Sequence, residues 1–109
     1  MDNVSDNELQ LNIIAANAKN NMERMLTRTL IELTRSGHIT FLLLSDDNIG
    51  KWWGNKLSKS QKLIDTYRHN IQQYNLKKSA YELLTPTERK LLGITSPVKP
   101  KKPKGYTAE

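Results

Sequence analysis

Trp52 and Trp53 stand in the stretch GKWWGNKLSKSQK, residues 50–62, beside Lys51, Lys56, Lys59 and Lys62, with no acid between Asp47 and Asp65. An indole can stack on an unpaired base for about 1–3 kcal/mol, or pack against sugar and phosphate on a duplex. Each lysine that meets a phosphate releases roughly one counterion, which gives affinity rather than base readout. On a helix starting near Asp46, Ile49 and Trp53 share a face and Trp52 lies about 100° away. One ring then enters the core beside Ile49, and the other flanks it near Lys51 and Lys56. The competing reading buries both rings and leaves the lysines as a solvated rim.

Catalysis finds little support. His38 and His69 have no partner at a recognisable spacing, and Asp46 and Asp47, being adjacent, diverge on a helix. There is no cysteine, no HExxH and no glycine-rich phosphate cradle, so no enzyme, metal or cofactor is expected.

Charge is segregated along the chain. The net charge is +6. Residues 1–47 hold four bases against seven acids, a net −3, and residues 48–109 hold thirteen bases against four acids, a net +9. A polarised excess of this kind points to a polyanionic partner for the second half. Lys77 and Lys78 extend the basic series beyond Lys62. Lys99, Lys101, Lys102 and Lys104 follow in SPVKPKKPKGYTAE, residues 96–109. Lysine alternating with proline predicts an extended tail that is disordered when alone. The tail resembles the basic arms of chromatin and ribosomal proteins, PKKPK resembles a nuclear import signal, and SPVK fits a proline-directed kinase site.

Helices must position these groups. Hydrophobic content is 37 %, enough for one modest core. Ser5 and Glu8 form an expected capping box. From there Leu11, Ala15, Ala18, Met22, Leu26, Leu30 and Leu33 mark one apolar stripe, ended by Arg35 and Gly37. The three asparagines of NAKNN, residues 17–21, are its weak point. Unbroken, about 30 residues would span roughly 45 Å, more than a small monomer covers. Leu11, Ala15, Ala18, Met22 and Leu26 are therefore the expected homodimer or partner face.

Residues 38–53 read as a short buried helix followed by a second, capped by Ser45 and ended by Gly54, or as a hairpin. Leu57, Ile64 and Ile71, with Ser60, Tyr67 and Tyr74, make an a/d seam on a third helix. Thr85, Pro86, Glu88 and Gly93 bracket a brief fourth. The expected core is Met22, Leu26, Leu30, Leu33, Phe41, Leu44, Ile49, Trp53, Ile64, Tyr67, Ile71 and Leu91.

The run NIGKWW, residues 48–53, resembles the IxRW end of recognition helices in small phage regulators. That likeness implies a helix-turn-helix-like centre with Lys51, Trp52 and Asn55 near the groove. Such turns usually carry glycine where Leu43 stands and a small residue where Ile39 stands.

The expectation is thus an all-α protein of four to five helices. It has a helical domain over 1–94 and an extended Lys/Pro-rich tail over 95–109. Its expected role is non-catalytic nucleic-acid binding, with DNA ahead of RNA, in the manner of a phage or bacterial transcription regulator. A protein-binding adaptor or inhibitor, viral in one version, and a structural subunit of a large assembly are the alternatives. The acidic, polar start lacks the pattern of a secretory signal, and no stretch reads as a membrane span. The expected setting is the cytoplasm of a bacterium or infected cell, or a eukaryotic nucleus.

Overall fold

The computed structural model describes residues 4–40 and 47–108. Over these residues the chain is helical, with no strand: α1 Asp6–Asn17, α2 Asn21–Ser36, α3 Asp47–Leu83 and α4 Pro86–Leu92. Phe41, Leu43, Leu44, Ser45 and Asp46 lie outside the described residues. Two compact units are present, Met1–Ile64 with Pro103–Glu109, and Asp65–Lys102. Among the described residues no helix is long and apolar enough to cross a membrane.

The expected long first helix is two helices. Ala18 leaves α1 with extended backbone, and Asn20 starts α2 by accepting the Glu23 amide at 2.8 Å. An asparagine offers a helix a ready N-cap, so the weak point becomes a restart. The 45 Å rod that motivated a dimer is therefore absent. Residues of the predicted stripe separate accordingly. Leu11 and Ala18 are buried within the chain, Leu26 is half-buried, and Ala15 and Met22 are exposed, Met22 at 82 %.

In the first unit α1 packs on α2. Leu11, Ile14, Leu30, Ile31 and Trp53 form a buried cluster, with Leu26, Leu33, Ile39, Ile49, Trp52 and Leu57 against it. Complete burial of each large side chain contributes about 1.5–3 kcal/mol. Leu9 and Ile13 are also buried, although they lie off the Leu11–Ile14 face, so α1 is covered on more than one side. Ser5 caps α1 by accepting the Glu8 amide at 3.2 Å. Glu8 does not return the bond that a capping box needs. Its carboxylate instead accepts two bonds from Arg35, at 3.1 and 3.4 Å, tying the start of α1 to the end of α2. Gly37 ends α2 at φ 79°, with the His38 amide bonded to the Leu33 carbonyl at 2.9 Å.

The C-terminal end supplies the further cover on α1. Residues 103–108 belong to the first unit, so the disordered tail that the composition predicted is not confirmed. Tyr106 is buried, its amide bonded to the Pro103 carbonyl at 3.0 Å. Asn17 Nδ2 donates to the Lys104 carbonyl at 3.2 Å, and Asn12 Nδ2 to Thr107 Oγ1 at 3.3 Å. Gly105, at φ 92°, lies so close that a Cβ there would meet the Asn12 carbonyl oxygen at 2.5 Å and the Ile13 Cα at 2.8 Å. Only glycine suits both that backbone and that approach.

Gly54 does not end a helix; α3 passes through it as part of 37 continuous residues. One interior glycine costs about 1 kcal/mol against alanine. The inward residues Trp53, Leu57, Ser60 and Ile64 lie on both sides of it and hold the helix together. A short recognition helix ending near Gly54 is therefore not what forms.

The second unit comprises the later part of α3, α4 and residues 93–102. Thr85 and Glu88 make the expected reciprocal capping box, at 3.2 and 2.8 Å. Arg89 donates to the Tyr81 carbonyl at 2.9 Å and lies 4.0 Å from the Tyr81 ring centre. Tyr67 is the unit's one buried residue, with Ile71 and Tyr74 half-buried along the predicted seam. Leu91, expected in the core, is 81 % exposed. A seven-residue helix can be held by its caps without a buried face.

Candidate nucleic-acid interface

In the first unit α3 orients both tryptophans. Trp53 points into the cluster with Ile49 packed nearby, and Trp52, one residue on, is half-buried at its edge. The rings are stacked with centres 6.3 Å apart and planes at 22°. Trp52 borders a cleft of about 460 Å³ with Met22, Leu26, Glu23 and Lys56. The Lys56 ammonium lies 5.2 Å from the centre of the Trp52 ring and 3.0 Å from the Glu23 carboxylate. The first helical pair therefore neutralises one of the lysines singled out above. The Lys56 bond, and then the Lys19 amide at 3.3 Å, hold Glu23 below the ordinary glutamate pKa. A base approaching Trp52 meets a ring already covered by a lysine. Lys51 is also paired, with Asp47 at 3.1 Å, but both are well exposed and the bond is worth little.

The other predicted cations are open. Among the described residues, Lys59, Lys62, Lys77, Lys78, Lys99, Lys101, Lys102 and Lys104 are exposed and face no carboxylate within ion-pair distance. Asn55 is exposed beside them in sequence. Lys59 and Lys56 border a cleft of about 280 Å³ with Lys19, Ile13, Asn17 and Leu63. In the second unit Lys77 lines a cleft of about 260 Å³ with Tyr74, Pro97, Val98 and Pro100, so the start of the tail runs beside that part of α3. Lys90, Arg24 and Arg28 are exposed cations that the sequence reading passed over. The arginines had a visible signal, an i,i+4 spacing on one helix.

His38 Nδ1 is 3.0 Å from Ser36 Oγ, and His69 is exposed on α3. Among the described residues no three histidine, aspartate or glutamate side chains gather as a metal site would require. Comparison of the chain with protein-family models, curated proteins and solved structures finds no match.

Proposed function

We propose that this is a non-catalytic nucleic-acid-binding protein whose phosphate contacts come from Lys59, Lys62 and Lys104 in the first unit and from Lys77, Lys78, Lys99, Lys101 and Lys102 in the second. One observation carries the reading: among the described residues these ammonium groups are solvent-facing and without an ion pair, while Asp47, Glu23, and Glu8 with Glu32 are paired with Lys51, Lys56 and Arg35. Lysines left without internal partners are free to displace counterions from a polyphosphate. Transcription regulation in a phage or bacterium remains the concrete setting proposed for such a protein.

The test is binding to a random 20-base-pair duplex, to single-stranded DNA and to RNA across salt concentrations. Each lysine in contact with a duplex contributes about 0.9 to the log–log slope. K59Q/K62Q and K77Q/K78Q should each lower the duplex slope by up to about 2. Unchanged slopes in both variants, or no binding near 50 mM salt, refute the proposal.

A second reading, a protein-binding adaptor, is favoured by a separate observation. Leu76, Leu83, Leu91, Leu92 and Val98 are all exposed in the second unit. Phosphates cannot cover leucines, whereas a protein groove can.

A further inference from the structure

The α1–α2 pair carries a groove unrelated to the lysines just described. Its volume is about 320 Å³, at the low end of small-molecule pockets. Leu11, Ala15, Ala18 and Ile31 give it an apolar floor, and Arg24 and Arg28 stand on its lining. Neither guanidinium has an ion-pair partner among the described residues. Glu32, which also lines the groove, is 3.7 Å from Arg35, whose guanidinium also binds Glu8.

Thr27 sets this groove apart. It is 2 % exposed, lines the groove between the two arginines in sequence, and its hydroxyl has no hydrogen-bond partner among the described residues. The other threonines of α2 behave differently. Thr29 and Thr34 donate to the carbonyls four residues back, at 3.0 and 2.7 Å. A buried hydroxyl without a partner is costly and calls for an acceptor that the described residues do not supply.

The geometry points to a binding site for a small organic anion: a carboxylate on a short aliphatic body. The body would lie on Leu11, Ala15, Ala18 and Ile31, and the carboxylate would accept from Arg24, Arg28 and the Thr27 hydroxyl. Guanidinium suits a carboxylate because its planar fork can offer two bonds at once. Inorganic phosphate and acetate supply only the head, and octanol only the body, so none of them satisfies both halves.

The test is titration calorimetry on the full chain with octanoate, acetate, inorganic phosphate and octanol. One saturable octanoate site is expected, with acetate and phosphate at least about tenfold weaker, since charged hydrogen bonds and apolar burial each contribute on the order of one decade. R24Q/R28Q should weaken octanoate about tenfold or more, with unchanged circular dichroism. T27V should weaken octanoate and, without ligand, raise the melting temperature. A purely packing role for Thr27 does not yield that opposite pair. Octanoate no tighter than acetate overturns the inference, as does equal weakening by K59Q/K62Q. If R24Q/R28Q weakens duplex DNA and leaves octanoate unaffected, the arginines belong to nucleic acid and the inference is likewise overturned.

Discussion

Replacing Gly105 with alanine tests whether the C-terminal end is structural. The added Cβ would sit 2.5 Å from the Asn12 carbonyl oxygen, 2.8 Å from Ile13 Cα and 2.9 Å from Ala16 Cβ. Two of those three atoms are backbone and belong to a helix, so no side chain can rotate away. Overpacking of this kind costs about 1–3 kcal/mol. The left-handed backbone at φ 92° adds about 1–2 kcal/mol for a residue with a Cβ. Together about 2–5 kcal/mol is the ceiling, because the tail can lift off α1 and escape the clash. Lifting off exposes Tyr106 and breaks the bonds to Asn12 and Asn17, so release is costly as well. Urea denaturation should show a loss of at least about 1 kcal/mol, the order of what the released hydrogen bonds alone contribute when the tail lifts off. Amide exchange at Tyr106, whose N–H is bonded to Pro103, should quicken far more than exchange in the α2 interior. An unchanged urea midpoint together with unchanged Tyr106 exchange refutes the docked tail and the cover it provides for α1.

Gly54→Ala should do the opposite: nothing lies within 4 Å of its Cβ position, so helix propensity alone acts and urea denaturation should report a gain of about 0.5–1 kcal/mol. Trp53→Ala removes the largest member of the buried cluster and should cost about 3–5 kcal/mol in the same assay. The Glu23 carboxyl titrates below its ordinary value of 4.5, so the stability from its bond to Lys56 is complete above 4.5 and disappears as pH falls through the lowered value. Glu23→Gln should flatten that acid limb in a pH series of melting temperatures and leave the neutral-to-alkaline range parallel to the parent. If nucleic acid reaches the half-buried indole, an oligonucleotide should quench the fluorescence of Trp53→Phe, whose remaining tryptophan is Trp52, and spare that of Trp52→Phe.

Local chemistry was legible in the sequence, and long-range cover was not. Thr85, Glu88 and Gly93 act as written because a cap needs only its own four residues. Asn20 was visible as a weakness but not as a restart, since the same residue lowers propensity inside a helix and favours its first position. Gly54 was misread as a stop because the residues that carry α3 past it are buried by α1 and α2, which no local window contains. Leu9 and Ile13 lay off the stripe in a helix apolar on several sides, a pattern that already called for cover from more than one direction. What provides that cover, Gly105–Tyr106, was masked by the lysine-proline run before it, although a glycine followed by the last aromatic of the chain was there to be seen. Of the candidate interface, the open lysines were legible by type. The clamping of Lys56 by Glu23, 33 positions earlier, was not.

The pairing changes what the charge segregation means. Along the sequence the first 47 residues look like an acidic counterweight to a basic second half. In the fold Glu23 holds Lys56, Asp47 holds Lys51, and Glu8 together with Glu32 holds Arg35. Glu23 thus acts beside Trp52, and Glu8 and Glu32 act on Arg35 where the start of α1 meets the end of α2. Among the described residues Lys59, Lys62, Lys77, Lys78 and the tail lysines have no such ion pair, and neither do Arg24 and Arg28 on α2. A polyanion would therefore be gripped by Lys59, Lys62 and the later lysines more than by the tryptophan-flanking pair. The tryptophans are better explained by the packing that fixes α3, whose register in turn decides where those free lysines emerge.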